Sequence, residues 1–106
     1  MVQTQQPRAR RYHFVATAEI TDLDTSAQLH EEVSDLSLFG CYVHSTQAWA
    51  TGTKVRVRIA HNGGTFAALA VVANVRRETG MGIVFKKIEP KEQTILDRWI
   101  AELRTH

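Results

Sequence analysis

An aspartate, a serine and a glycine stand at Asp35-x-Ser37-x-x-Gly40. Three arginines, Arg8, Arg10 and Arg11, are the only fixed charges in the first thirteen residues. A carboxylate and a hydroxyl two residues apart, with a glycine just beyond, are equipped to accept and donate hydrogen bonds at a turn. Taken alone, they close a hairpin in which Gly40 supplies a bulge or tight bend. Beyond the arm the chain holds 10 basic and 11 acidic side chains, so the net charge of +2 sits entirely in those first residues. A local cationic arm suits a small anion or serves as a solubilising tail. A body basic all over, as a nucleic-acid binder held by many phosphates requires, is not what the sequence contains.

Other reactive side chains lead nowhere catalytic. Cys41 and His44 are three apart in a stretch of strand character, so they point to opposite faces and cannot share a metal. The five histidines, His13, His30, His44, His61 and His106, have no ligand spacing and no nucleophile beside them. There is no G-x-S-x-G, P-loop or H-E-x-x-H motif. Lys54, Arg56 and Arg58 form the solvent side of an amphipathic strand. Trp49 and Trp99 read as core or rim packing. Phe39, between the serine and the glycine, is placed to offer an apolar surface to a partner.

Six strands and one helix have to position these groups. From Tyr12, Phe14, Ala16, Ala18 and Ile20 alternate with Val15, Thr17 and Glu19, and Asp22 to Ser26 makes a turn. A second strand runs from about Gln28 to Asp35, and a third across Cys41 to His44. The clearest strand, Lys54 to Ile59, sends Val55, Val57 and Ile59 to one face and three cations to the other. Asn62-Gly63-Gly64 has the tolerance for positive φ that a hairpin needs. The next strand, Phe66 to about Arg77, is apolar on both faces for much of its length. Glu78-Thr79-Gly80 then turns the chain into Met81-Gly82-Ile83-Val84-Phe85. Pro90 suits the first turn of a helix over about 90–104, whose stripe of Ile95, Leu96, Trp99, Ile100 and Leu103 must be buried against a mouth or side of the sheet. The expectation is a mainly β protein, a six-stranded antiparallel barrel or sandwich with a C-terminal helix.

A chain of 106 residues supports one core, here over 12–106, behind a flexible basic arm at 1–11. With 43% apolar and 23% charged residues it is neither wholly disordered nor fibrous. No apolar run approaches the ~18–20 residues of a membrane span, and the N-terminus lacks the apolar centre of a secretory signal. The single cysteine cannot form an internal disulfide, which fits a reducing, cytoplasmic setting.

Asp35-x-Ser37-x-x-Gly40, preceded by a barrel strand and an arginine-bearing arm, resembles the PilZ domain family from about Arg8 to Leu103. Met81 to Phe85 is similar to that family's last strand. The resemblance implies a closed six-stranded antiparallel β-barrel with a C-terminal helix. It also implies a cytoplasmic bacterial receptor for the second messenger cyclic di-GMP (c-di-GMP), without enzymatic activity, cofactor or metal. It assigns the ligand to Arg8, Arg10, Arg11, Asp35, Ser37 and Gly40. Arginine pairs its planar fork with guanine O6 and N7 or stacks on a base. Aspartate accepts from the guanine N1–H and N2 amino group, and serine serves a phosphate or an amino group. The arm would become ordered around the ligand and relay the signal to a protein partner.

The sequence departs from the family at its second motif, Arg-x-x-x-Arg. Four residues after Arg8, Arg10 and Arg11 stand Tyr12, Phe14 and Val15. One missing bidentate guanine contact is worth ~1–3 kcal/mol. Two alternatives follow: an adaptor of the same fold that binds protein without nucleotide, and a small-barrel nucleic-acid binder on Lys54, Arg56 and Arg58. The latter lacks the stacking aromatics that single-strand binding uses, since only valines lie between those cations.

Overall fold

The structure, a computed structural model, describes residues 10–105. Residues 1–9, Arg8 among them, and His106 lie outside the described residues. The strands are β1 (Tyr12–Asp22), β2 (Gln28–Leu36), β3 (Gly40–His44), β4 (Lys54–His61), β5 (Gly64–Arg76) and β6 (Gly80–Lys87), followed by helix α1 (Pro90–Arg104). They close into a barrel in the order β1-β2-β3-β6-β5-β4, with every neighbour antiparallel. The fold class is therefore the one expected: mainly β, a closed six-stranded antiparallel barrel with one C-terminal helix.

Period-two alternation accounts for the interior. Phe14, Ala16, Ala18 and Ile20 of β1 point inward, as do Val55, Val57 and Ile59 of β4 and Met81, Ile83 and Phe85 of β6. The alanines of β1 and β5 (Ala16, Ala18, Ala68, Ala70) are buried opposite bulkier side chains. Small and large residues together fill the narrow bore of a six-stranded barrel. In β5 the inward row is Phe66, Ala68, Ala70 and Val72, while Ala67, Leu69 and Val71 are half-buried on the outer face.

Between β4 and β5, Asn62 and Gly63 take φ of 50° and 80°, the left-handed pair of a tight hairpin. Helix α1 stops one mouth of the barrel. It begins with Pro at its first position and no side-chain cap on Glu89. Instead, Glu92 of the first turn accepts a 2.8 Å hydrogen bond from the Ala67 backbone N–H of β5. Leu96, Trp99 and Ile100 are buried. The Trp99 ring lies 5.5 Å from Phe14, 5.4 Å from His61 and 6.2 Å from Phe66. Phe14, four residues after Arg10, is thus committed to seating the helix.

Two irregularities shape the β1–β2–β3 corner. Between the pairs His13↔Asp35 and Ala16↔Val33, β1 has two residues and β2 only Ser34. On the other side, Val33 and Asp35 pair with the consecutive Val43 and Tyr42. Against β3, Ser34 is therefore the extra residue of a β-bulge, while against β1 the extra residue is β1's own, and such bulges re-aim the side chains that follow them.

Candidate functional site

Asp35 follows that bulge, paired with His13 on one side and Tyr42 on the other. Its carboxylate is about a third exposed (31%), and Oδ2 lies 3.7 Å from the Arg11 guanidinium, itself 59% exposed. At that distance and exposure the pair contributes little to folding. The other oxygen, Oδ1, is buried without a hydrogen-bond partner among the described residues. Leaving a buried carboxylate oxygen unpaired costs roughly 1–3 kcal/mol.

Ser37 sits just beyond β2 and is 6% exposed. Its hydroxyl accepts the backbone N–H groups of Phe39 and Gly40, both at 3.1 Å, and donates to the Gly40 carbonyl at 3.3 Å. The Ser37 N–H donates to the same carbonyl at 2.8 Å. These bonds lock Ser37-Leu38-Phe39-Gly40 into a compact hairpin end. Gly40 has no positive φ. Its glycine requirement comes from proximity: a Cβ there would overlap the carbonyl oxygen of Ile83 on β6. The bend expected at Gly40 is thus a close approach of β3 to β6, and the bulge lies earlier, at Ser34.

Arg10 and Arg11 lead into β1, and the Arg10 guanidinium lies 5.2 Å from the centre of the Tyr12 ring. The expected ligand residue Arg8 lies outside the described residues. None of the three positions four residues after an arginine brings a cation to Asp35. Tyr12 packs against the core, Phe14 is buried under the helix, and Val15 is 69% exposed.

Four residues that the motifs do not name lie beside Asp35 on the sheet. The register runs Asp35, Tyr42, Gly82, Asn74 across β2, β3, β6 and β5. The Tyr42 hydroxyl is buried without a partner among the described residues. Gly82 leaves bare backbone beside it, and a Cβ there would meet the Asn74 side chain at 2.8 Å. Arg76 lays its guanidinium 5.9 Å from the centre of the Tyr42 ring. Alternation in β3 gives a sequence signal for Tyr42 facing outward, but only register brings β5 to its side.

Cys41 is buried on the inner face, next to the aspartate. Burial, and then the Asp35 carboxylate, push its thiol from 9.0 up to about 12, against a smaller opposing pull from Arg11. His44 is exposed, so the two do point apart. Among the described residues no group of three His, Cys, Asp or Glu is placed to hold a metal. In the folded protein Cys41 is expected to react with iodoacetamide only as fast as the barrel opens. Because its folded pKa is raised, the thiol lends stability that is complete below about pH 9 and falls as pH rises towards 12. The decline is on the order of 1 kcal/mol per pH unit. Cys41→Ser melts followed from pH 8 to 11 would flatten that dependence.

The family model described as PilZ domain matches residues 4–102. No curated protein matches the sequence. Among solved structures, the PilZ domain of CeSA from a cellulose-synthesising bacterium is 18% identical with a TM-score of 0.71, covering 91% of this chain and 99% of that one. The PilZ domain of YcgR from Escherichia coli, solved with c-di-GMP, is 20% identical with a TM-score of 0.74, covering 95% and 93%. The Bacillus subtilis inhibitor of motility MotI/DgrA is 16% identical with a TM-score of 0.77; 95% of this chain matches 52% of that one, about half its length. At these identities the likeness is one of fold. No described helix is long and apolar enough to cross a membrane.

Proposed function

This chain belongs to the PilZ domain family, and on that footing we propose that it is a non-catalytic binding module for c-di-GMP that passes the signal to a protein partner. One observation carries the reading. Asp35 is held at the barrel surface by a bulge and a locked hairpin, with a buried carboxylate oxygen unpartnered among the described residues and an arginine beside the other. A carboxylate so placed accepts from the N1–H and amino group of a guanine. Arg8, Arg10 and Arg11 approach the phosphates and base faces from the arm. Ser37 and Gly40 serve by fixing the hairpin that carries Asp35. The partner is met at the barrel end bearing that hairpin, where Phe39 is 57% exposed.

Amide shift mapping tests this placement. On addition of c-di-GMP, shifts are expected at 10–13, 34–42 and their neighbours on β6. Shifts confined to the cationic face of β4 would contradict it. A second reading, an adaptor that works without the nucleotide, is favoured by Phe14. The site four residues after Arg10 is spent on the helix, with its ring 5.5 Å from Trp99, and offers a ligand nothing. A partner retained equally with and without c-di-GMP would support that reading.

A further inference from the structure

The nucleotide reading leaves a gap and a surplus. The gap is the second guanine-reading arginine, whose place is taken by Tyr12, Phe14 or Val15 in every register. The surplus lies on the sheet: a cation over an aromatic ring, a buried hydroxyl without a partner among the described residues, and a strand position without a side chain. We propose that Tyr42, Gly82, Asn74 and Arg76 form a second wall of the nucleotide site, in which Arg76 supplies the guanine-reading cation absent from the arm. This rests on the reading of the site as one for c-di-GMP.

Three features of the wall support the assignment. First, it is continuous with Asp35. The row Asp35–Tyr42–Gly82–Asn74 takes three inter-strand steps of ~4.8 Å, roughly 14 Å in all, which suits a dinucleotide better than a single base. Second, its centre carries a polar side chain in place of an apolar one. Gly82 is buried and leaves room for the exposed residue Asn74, whose amide lies over the bare backbone as both donor and acceptor. Third, Arg76 is oriented and unneutralised. Its guanidinium carbon lies 5.9 Å from the centre of the Tyr42 ring, within cation–π range, and no carboxylate lies within ion-pair distance of it among the described residues. Arg11, by contrast, is already shared with Asp35. Stacking on a ring holds a guanidinium in place while its N–H edge stays free to pair bidentately.

The chemistry selects guanine. Its O6 and N7 both accept, matching the fork of Arg76, while N1–H and the N2 amino group donate to the two oxygens of the Asp35 carboxylate. The Tyr42 hydroxyl can join as donor or acceptor. Adenine presents a donor at position 6 and an acceptor at N1, so it fails both contacts at once. Arg76 therefore governs which cyclic dinucleotide is taken as well as how tightly.

Titrations of c-di-GMP and cyclic di-AMP into the full chain and its Asp35→Ala, Arg76→Ala, Arg76→Lys and Tyr42→Phe variants test this, with thermal melts alongside. Arg76 is exposed, so its variants are expected to melt with the wild type. Arg76→Ala should weaken c-di-GMP about 10- to 100-fold and narrow the preference over cyclic di-AMP. Arg76→Lys should recover part of the affinity and little of the preference, and Tyr42→Phe should lose a few-fold. Wild-type affinity in Arg76→Ala, with binding gone in Asp35→Ala, would overturn the second wall and leave the nucleotide reading standing. An equal loss for both nucleotides would reduce Arg76 to a point charge and overturn its role as a reader. Absence of binding by the wild type would remove the nucleotide reading and this inference with it.

Discussion

Replacing Gly40 by alanine is expected to lower stability by roughly 3–5 kcal/mol, a large share of what a domain of this size has to lose. The added methyl would overlap the Ile83 carbonyl oxygen, which is backbone and has no rotamer to turn away. Either β3 and β6 part, breaking the ladder at Gly40↔Val84 and Cys41↔Ile83, or the hairpin end shifts. The second route also disturbs the bonds from Phe39 N–H and Gly40 N–H to the Ser37 hydroxyl. A drop in Tm of more than roughly 10 °C should be seen. Chemical denaturation would give the free energy, and a midpoint unchanged from wild type would show that the strands have slack the structure does not indicate. Gly80→Ala, whose methyl would overlap the Val43 carbonyl oxygen, should behave alike although no motif names it.

Asp35→Ala is expected to act in the opposite sense, removing ligand and sparing the fold. Losing two charge-assisted acceptors at a guanine edge should cost at least ~100-fold in affinity for c-di-GMP. The fold loses only an exposed ion pair at 3.7 Å and sheds a buried oxygen without a partner among the described residues. Its Tm should match the wild type or exceed it slightly. Melting curves beside binding isotherms would read both effects from one sample. A variant that lost stability as well as binding would show Asp35 to be part of the barrel's own hydrogen bonding.

The contrast between these two motif residues also explains what the sequence could reveal. Alternation in β1 and β4 was legible because each strand has one face in the core, and Asn62-Gly63 was legible because few residues accept its φ values. Strand ends were less so. β2 runs on to Leu36, and β3 and β6 begin at Gly40 and Gly80, because hairpin ladders close through backbone groups that any residue carries. The motif named Gly40, but the structural reason for a glycine there lay in Ile83, a strand away. Tyr42 and Arg76 could not be joined from sequence at all. Their meeting depends on the register of β3 on β6 and on a register shift between Val72 and Asn74. Neither leaves a mark in composition or periodicity. Phe14 was visible as a missing arginine, but its use against Trp99 required knowing which mouth the helix closes.

The account turns on whether this chain takes the dinucleotide with the arginines it has. Calorimetric titration of the 106-residue protein with c-di-GMP, with Asp35→Ala as its control, asks that directly. Saturable binding in the micromolar range or tighter, lost in the variant, is the predicted result. No heat at high micromolar ligand, together with no thermal shift in a sample that melts cooperatively, would contradict it and leave a PilZ barrel that works through protein contacts alone.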